Sequence, residues 1–283
     1  MAHLRVASCQ FPVSHDIRRN AQYIRTYLQR ATQAGAHLLH TSEASLSGYA
    51  GTDFTTFEGY DWALLRAETA RLRELAKKLG LWLVLGSAHY LDAQTPPTNC
   101  LYLINPQGDI VDRYDKCFCT KGDQRFYSAG NRLVTHIIRD IPIGLAICYD
   151  VCYPQLYAAY RERGAQVMLH SFYNAHDKGP NCLDVLNVRQ VPTRCADNGM
   201  WAVANNSSYL YSHWGSFVAR PDATIAQRLP MNRAGMLVHD FPDGLSEGGW
   251  IHNYLPMRVA EGEAMYFGTP SQHPRQMDGR VEP

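Results

Sequence analysis

Short apolar segments alternate with amphipathic segments along most of this chain, and this alternation constrains the fold more than any other feature of the sequence. Apolar runs bounded by turn residues predict strands, and they occupy the ranges 6–11, 37–41, 81–85, 99–104, 110–114, 143–147, 166–170 and 201–204. Apolar residues at helical spacing predict helices at 21–31, 65–79, 155–163 and 183–198. Strands that alternate with helices are typical of a layered α/β architecture.

Two segments depart from this regular pattern. The helix predicted at 183–198 contains Pro192, and an interior proline kinks or splits a helix, so the course of this segment stays open. Residues 242–283 are rich in Gly, Pro, His and polar residues, which predicts an extended arm over the surface or onto a partner subunit. Because no repeat or low-complexity linker divides the chain, we expect one domain over residues 1–283, with 242–283 as its C-terminal arm.

Composition limits the classes of partner. The 283 residues are 46% hydrophobic, so the chain can bury a sizeable core. Lys and Arg number 27 against 26 for Asp and Glu, and no basic stripe is interleaved with aromatic residues, so we expect a small-molecule substrate rather than nucleic acid. The first residues do not resemble a secretion signal and the apolar runs are too short to span a membrane, which predicts a cytoplasmic protein whose eight cysteines are free thiols.

Cys148 is the first candidate for chemistry. It follows the apolar strand predicted at 143–147 and precedes a helix, and the rim formed by strand ends is where α/β sheets bind ligands. The helix start is expected to favour its thiolate, and the backbone amide of Tyr149 is then a candidate donor to an oxyanion. The alternative is an ordinary buried thiol, which is how most cysteines in apolar strands behave.

Glu43 and Lys116 stand at similar positions, each just past the end of a predicted strand. A carboxylate among apolar neighbours has a raised proton affinity and serves as a general base near neutral pH. A partly buried ammonium neutralises a developing oxyanion. A solvated loop glutamate and a surface lysine are the alternatives for each residue taken alone, but all three candidates lie past strand ends of what we expect to be one sheet system.

Three short blocks around these residues carry a resemblance to a known family. Glu43 lies in Ser-Glu with Leu-Ser-Gly-Tyr close behind, Lys116 ends Tyr-Asp-Lys, and Cys148 lies in Ile-Cys-Tyr-Asp-Val-Cys-Tyr-Pro. In this order and at these separations, the blocks resemble the signature blocks of the nitrilase superfamily of carbon-nitrogen hydrolases. The resemblance extends over roughly residues 6–241.

The resemblance implies a nucleophile at Cys148, a general base at Glu43 and an oxyanion-stabilising cation at Lys116. It also implies a four-layer α-β-β-α sandwich, a homodimer or larger homo-oligomer paired through helices, and no metal or organic cofactor. Many members carry a further glutamate before a Pro-Gly in the loop after the lysine. The nearest match here is Asp123, one methylene shorter, which is therefore the candidate supporting acid.

The substrate is expected to be a small amide. The Cys-Tyr-Asp sequence at Cys148 resembles amidase-type branches, whereas nitrilases of the superfamily usually have Trp-Glu after the nucleophile. The implied reaction cleaves a non-peptide C–N bond through a cysteine thioester and releases ammonia or an amine and a carboxylic acid. Tyr49, Tyr173 and Asn174 fall where the family lines its pocket. An N-carbamoyl amino acid hydrolase or a nitrilase on the same fold stays open as an alternative.

Three other classes of protein are alternatives to this hypothesis. A zinc or redox protein is suggested by Cys117 and Cys119, but Cys-X-Cys without a paired Cys-X-X-Cys matches no familiar zinc framework. A papain-like or serine-triad hydrolase would use His170 or His213, yet the sequence motifs of those enzymes are missing. A catalytically silent binding protein on the same fold is kept because of the change at Asp123.

Overall fold

The computed structural model describes residues 3–176, 178–242, 259–260 and 263–264. In that part of the chain the strands are, in order, β1 (His3–Gln10), β2 (Leu38–His40), β3 (Trp82–His89), β4 (Thr98–Ile104), β5 (Ile110–Asp115), β6 (Thr135–Ile138), β7 (Ile141–Ile147), β8 (Val167–Ser171), β9 (Trp201–Asn205), β10 (Phe217–Ala219), β11 (Ile225–Arg228), β12 (Gly235–Pro242), β13 (Val259–Ala260) and β14 (Glu263–Ala264). The helices are α1 (Ile17–Gln33), α2 (Trp62–Leu79), α3 (Pro154–Glu162) and α4 (Leu183–Asn198).

The strands form two mixed six-stranded sheets and one short antiparallel pair. The first sheet has the order β12-β1-β2-β3-β4-β5 and the second has the order β11-β10-β9-β8-β7-β6, while β13 pairs with β14. At the centre of each sheet the strands are parallel, as in β1-β2-β3 and β7-β8-β9. Parallel central strands bring several carboxyl ends to the same edge of each sheet, and that edge carries the candidate residues.

Successive side chains along each strand point to opposite faces of the sheet, and their apolar members form three layers. In the second sheet, Leu145 and Val167 pack between the sheets, whereas Ala146 and Met168 pack with side chains of α3 and α4. The first sheet follows the same rule: Val6 faces the other sheet, and neighbouring β1 side chains pack against α1 and α2. Helices therefore cover the outer face of each sheet, which confirms the α-β-β-α sandwich.

Helix ends follow local rules of capping. The Asp16 side chain accepts a hydrogen bond from the backbone N–H of Arg19 at 3.1 Å and caps α1. Gly80 ends α2 with φ of 65° and Gly199 ends α4 with φ of 58°, a left-handed conformation that glycine adopts without a side-chain clash. These ends fix where the chain turns from each helix into the next strand.

The structure settles the course of α4, which runs as one helix through Pro192. The proline lacks the N–H that would bond to the preceding turn, but it is one of the buried residues of α4. Burial of the apolar ring compensates for the missing hydrogen bond.

The sequence did not predict four strands, β6 and β10–β12, and three of them lie in the C-terminal part of the chain. The last of these, β12, lies antiparallel to β1 at the edge of the first sheet. The predicted arm, residues 242–283, begins where β12 ends. Apart from β13 and β14, the rest of that segment lies outside the described residues.

Candidate active site

The three candidate side chains come from the ends of strands in both sheets. Glu43 follows β2 and Lys116 follows β5, both in the first sheet, whereas Cys148 follows β7 in the second. The expectation of one sheet system is therefore corrected to two facing sheets. The Glu43 and Lys116 charges both affect the pKa of the Cys148 thiol, so the packing of the two sheets places the three groups near enough to interact electrostatically.

A buried ion pair joins Glu43 and Lys116. The Lys116 Nζ lies 2.9 Å from Glu43 Oε1, and both side chains are fully buried. Asn99 donates from Nδ2 to the same carboxylate oxygen at 2.7 Å. Within the described part of the chain, Glu43 Oε2 has no hydrogen-bond partner. One oxygen of Glu43 is therefore fixed, and the other is available to accept a proton.

Asp123 is the second carboxylate on the lysine. Its Oδ2 lies 2.9 Å from Lys116 Nζ and also accepts from the backbone N–H of Thr120 at 2.9 Å. Its Oδ1 accepts a hydrogen bond from the hydroxyl of Tyr49. The lysine thus lies between two buried carboxylates, a contact that the shorter side chain of Asp123 still reaches.

The two carboxylates have proton affinities shifted in opposite directions. Burial raises the pKa of Glu43, and the nearby Lys116 charge only partly opposes that effect. Burial also acts to raise the pKa of Asp123, but Lys116 and the Tyr49 hydroxyl outweigh it and the net pKa is lowered. Carboxylates separated in this way suit two tasks, with Asp123 staying charged and Glu43 exchanging protons.

Cys148 has a backbone conformation that is uncommon for a side chain with a Cβ. Its φ is 45°, and it is the first residue of a 3-10 helix, Cys148–Cys152, directly after β7. Such conformations persist where the surrounding structure holds them, and they concentrate at functional sites. The residue as a whole is partly exposed.

The expectation of a thiolate favoured by the helix start is wrong for the free protein. Burial raises the pKa of the Cys148 thiol, the Glu43 charge raises it further, and Lys116 and the Tyr173 backbone only partly oppose these effects. A 3-10 helix of five residues has a weak dipole, so desolvation and charge prevail. A neutral thiol of this kind needs a base to become a nucleophile.

The remaining predicted site residues surround the charged group and the sulfur. Tyr49 and Tyr173 stack with ring centroids 5.1 Å apart, and Lys116 Nζ lies 5.9 Å from the centre of the Tyr49 ring. Asn174 Nδ2 lies 3.7 Å from Cys148 Sγ. Tyr149 follows Cys148 in the 3-10 helix, and its side chain is exposed.

The two histidines of the rival hydrolase hypothesis have other partners. The His170 Nδ1 lies 2.8 Å from the Tyr157 hydroxyl, and burial lowers the pKa of His170 to about 3. The His213 Nδ1 lies 2.6 Å from an oxygen of Asp184. An imidazole with so low a proton affinity is a poor general base at neutral pH, so His170 does not suit a papain-like mechanism.

The cysteines that suggested a zinc protein do not form a metal site in the described part of the chain. Cys117 and Cys119 lie beyond the end of β5. Among the described residues, no group of three or more His, Cys, Asp or Glu side chains is arranged to hold a metal ion. All eight cysteines are free thiols. None of the described helices has the length and apolar character needed to span a membrane.

Sequence reasoning missed Asp150 as part of the site. Its buried carboxylate accepts from the Tyr114 hydroxyl at 2.7 Å and from the backbone N–H groups of Ile147 at 2.8 Å and Phe118 at 2.9 Å. Burial raises the pKa of Asp150 to about 6. Ile147 precedes Cys148, and Tyr114 and Phe118 lie on either side of Lys116 in the sequence. Asp150 therefore connects the segment that carries Cys148 to the segment that carries Lys116.

Asn99, which holds Glu43, was also missed, although the sequence carried a signal. It is a polar residue at the start of an otherwise apolar strand, and β4 is buried along its whole length. A buried amide requires hydrogen-bond partners. The position of Asn99 near the start of a buried apolar strand was therefore a reason to include it among the candidate site residues.

A comparison with known families decides what kind of chain this is. The sequence profile of one family, described as carbon-nitrogen hydrolase, matches residues 5–247. The chain belongs to the carbon-nitrogen hydrolase family. The match confirms the resemblance found in the three sequence blocks.

Curated relatives of this carbon-nitrogen hydrolase include several amidases. The human deaminated glutathione amidase is 26% identical over 79% of this chain and 72% of its own length, and human omega-amidase NIT2 is 25% identical over 78% and 82%. The nitrilase and fragile histidine triad fusion protein NitFhit of Caenorhabditis elegans is 25% identical over 76% of this chain. This hydrolase spans about half of that fusion protein's length, 53%.

Solved structures share the fold. The amidase from Nesterenkonia sp. superposes with a TM-score of 0.75 at 24% identity, covering 90% of this chain and 97% of that one. A variant of the same amidase, which carries the acetamide moiety of fluoroacetamide covalently on its active-site cysteine, has a TM-score of 0.75 at 24% identity over 87% and 93%. At this identity the likeness shows the carbon-nitrogen hydrolase fold.

Proposed function

We propose that this carbon-nitrogen hydrolase cleaves small amides through a thioester on Cys148. The observation that carries the proposal is the arrangement of Lys116 between Glu43 and Asp123, with the second oxygen of Glu43 unpartnered in the described part of the chain and its charge acting on the Cys148 thiol. The amidases among the relatives support the same reaction class.

The first half-reaction uses Glu43 as a general base. The carboxylate takes the thiol proton, and the sulfur of Cys148 forms a bond to the carbonyl carbon while the C=O electron pair moves onto oxygen. Lys116 and the backbone N–H of Tyr149 stabilise the oxyanion. The electron pair then returns, the C–N bond breaks, and the nitrogen takes the proton from Glu43 and leaves as ammonia or an amine.

The second half-reaction hydrolyses the thioester. Glu43, again ionised, takes a proton from water, whose oxygen bonds to the thioester carbon. When the C–S bond breaks, the sulfur recovers the proton and the carboxylic acid is released. Each step uses side chains or backbone groups of this chain, so we predict full activity after treatment with a chelator.

Asp123 is proposed to act as the supporting acid. Its lowered pKa keeps it charged, so it holds Lys116 as a cation after Glu43 has accepted a proton. Without Asp123, the ammonium would lose its paired negative charge in the middle of the reaction. The stacked Tyr49 and Tyr173 are proposed to form one wall of the substrate pocket, with Asn174 beside the sulfur.

We also propose that the enzyme works in the cytoplasm as a homodimer or larger homo-oligomer. Val185 and Leu186 on α4 are large apolar side chains with exposed fractions of 48% and 39%, and a helix face of this kind is suited to pairing with a second copy. Light scattering in solution tests the oligomer, and a monomer at micromolar concentration would contradict it.

An ammonia-release assay tests the reaction. Aliphatic amides, N-carbamoyl amino acids and nitriles are offered in parallel to the wild type and to Cys148→Ala. We expect ammonia from amides with the wild type and a loss of at least about 10⁴-fold in the variant. Preference for N-carbamoyl compounds or nitriles would favour the alternatives on the same fold. Equal turnover by the variant would refute the nucleophile, and no turnover by either protein would favour a binding protein.

A further inference from the structure

The Asn174 side chain lies at the nucleophile and is held in one orientation. Its Nδ2 is 3.7 Å from Cys148 Sγ, and its Oδ1 accepts hydrogen bonds from Asn187 Nδ2 at 2.6 Å and from Trp214 Nε1 at 3.2 Å. Asn174, Asn187 and Trp214 are all buried. The carboxamide therefore has its oxygen on one side and its nitrogen towards the sulfur.

Trp214 decides this orientation. A carboxamide often fits a site either way round, because its oxygen and nitrogen have nearly the same shape. The indole N–H of Trp214 only donates, so the atom of Asn174 that faces it must be the oxygen. The N–H₂ group of Asn174 must then face Cys148, which has a sulfur that accepts hydrogen bonds and does so more strongly as a thiolate.

The backbone of Asn174 is fixed as firmly as its side chain. Its N–H donates to Asn206 Oδ1 at 2.7 Å, and its carbonyl accepts from Asn206 Nδ2 at 3.2 Å and from the backbone N–H of His213 at 3.0 Å. Asn206 in turn donates from Nδ2 to the Trp214 carbonyl at 2.9 Å. The donor aimed at the sulfur is therefore preorganised before any substrate binds.

We propose that Asn174 is a catalytic residue that donates a hydrogen bond to the Cys148 thiolate, and that Trp214 is the positioning residue that aims it. This assignment rests on the proposed function, in which the sulfur becomes anionic. It differs from the predicted role of Asn174 in the substrate pocket, because the partner is the sulfur rather than the substrate.

The proposal explains how an unfavourable thiolate is formed. The first sheet places the negative charge of Glu43 near the sulfur, and this opposes ionisation. Asn174 and the backbone of Tyr173, both after β8 of the second sheet, provide uncharged donors to the sulfur. Uncharged donors stabilise the thiolate without neutralising the base that must take its proton.

Alkylation of the thiol tests this role without using the amidase reaction. Iodoacetamide forms an S–C bond and releases iodide at a rate that follows the thiolate fraction. The rate at Cys148 is measured against pH by peptide mass spectrometry, with the exposed thiol of Cys182 in the same chain as the internal reference. The variants are Asn174→Ala, the isosteric Asn174→Asp, Trp214→Phe and Asn174→Ala with Trp214→Phe.

We expect both Asn174 variants to slow alkylation at Cys148 roughly ten- to a hundredfold relative to Cys182 and to shift its pH profile upwards. Trp214→Phe should have a smaller effect, and it should add nothing in the Asn174→Ala background, because a positioning residue acts only through its target. If Asn174→Ala does not fold, Asn174→Asp and Trp214→Phe carry the test.

An unchanged Cys148 alkylation profile in the folded Asn174 variants would overturn the proposal, even if KM for the amide rose, because Asn174 would then contact only the substrate. Additive effects of the two substitutions would overturn the role of Trp214. These results are independent of the nucleophile assignment, which fails if Cys148→Ala keeps its turnover.

Discussion

The two sheets provide different chemistry to one site. The first sheet provides the charged groups, with Lys116 paired to Glu43 and to Asp123 beyond the end of β5. The second sheet provides the sulfur of Cys148 and, after β8, the uncharged amide of Asn174. Charge is therefore concentrated on the first sheet, and the sulfur that gains charge in the proposed reaction belongs to the second.

This difference in charge predicts the direction of proton transfer. Two carboxylates around one ammonium leave an excess negative charge, and the raised pKa of Glu43 shows where burial makes that charge least favourable. The neutral thiol of Cys148 is the nearby proton source on the opposite side. In the proposed reaction, proton transfer from Cys148 in the second sheet to Glu43 in the first relieves the excess negative charge in the first sheet and creates the nucleophile in the second.

Among the variants that test this difference between the sheets, replacement of the proposed base, Glu43, should have the largest effect on activity. Glu43→Gln keeps the shape and an oxygen to accept from Asn99 and Lys116, but it cannot take a proton. We expect kcat for an amide to fall by about 10²–10⁴-fold, with the fold retained. Steady-state ammonia release measures the loss, and a variant that keeps wild-type kcat would contradict the proton transfer.

The pH dependence sharpens the same point. Glu43 must be ionised to act, and its folded pKa is raised above the ordinary value of 4.5. Activity should therefore be complete above the raised pKa and should be lost as the pH falls through it. The acid limb of kcat/KM is expected above pH 4.5, and its absence from residual Glu43→Gln activity would identify the group.

Removing the cation should break the charge balance of the first sheet. Lys116→Met leaves Glu43 and Asp123 buried without a counter-charge, which is expected to cost roughly 3–5 kcal/mol of stability. Loss of oxyanion stabilisation should lower kcat by about 10²–10³-fold. Adding Asp123→Asn should restore part of the stability in urea unfolding but not the activity. A stable, fully active Lys116→Met variant would contradict the balance described above.

A smaller effect on activity is expected from the hydrogen bonds to Asp150, which connect the segments that carry Cys148 and Lys116. Tyr114→Phe removes one donor to Asp150, and Tyr157→Phe removes a buried hydroxyl from His170 on the outer face of the second sheet. Each variant should lose about 1–3 kcal/mol in urea unfolding. Only Tyr114→Phe should also lower kcat/KM, by severalfold. Equal kcat/KM losses in both variants would show that Asp150 has no particular role in joining Cys148 to Lys116.

Local patterns in the sequence predicted the central strands and drew attention to Glu43, Lys116 and Cys148, whereas the four-layer arrangement was implied by the family resemblance. Apolar runs located the central strands, and the blocks at Glu43, Lys116 and Cys148 lie directly past strand ends. The short strands β10 and β11 were missed for different reasons. β10 has only three residues, too few to show a pattern, and β11, at the edge of the second sheet, is half polar and largely exposed. Their pairing depends on neighbours that are distant in the sequence.

The environment of each group could not be predicted in the same way. The raised pKa of the Cys148 thiol depends on Glu43, which is 105 positions earlier in the sequence, and on burial produced by both sheets. The orientation of Asn174 depends on Trp214, which comes from a loop after β9. Such contacts form only when the sandwich closes, so no local spacing carries them.

Trapping the covalent intermediate tests the central claim most directly. The wild type is mixed with an amide substrate, quenched in acid within the first turnover and digested for peptide mass spectrometry. We predict that the peptide containing Cys148 gains the acyl group while a matching amount of ammonia is released. A first-turnover burst of ammonia with no acyl group on that peptide, or with the acyl group on another residue, would contradict the account.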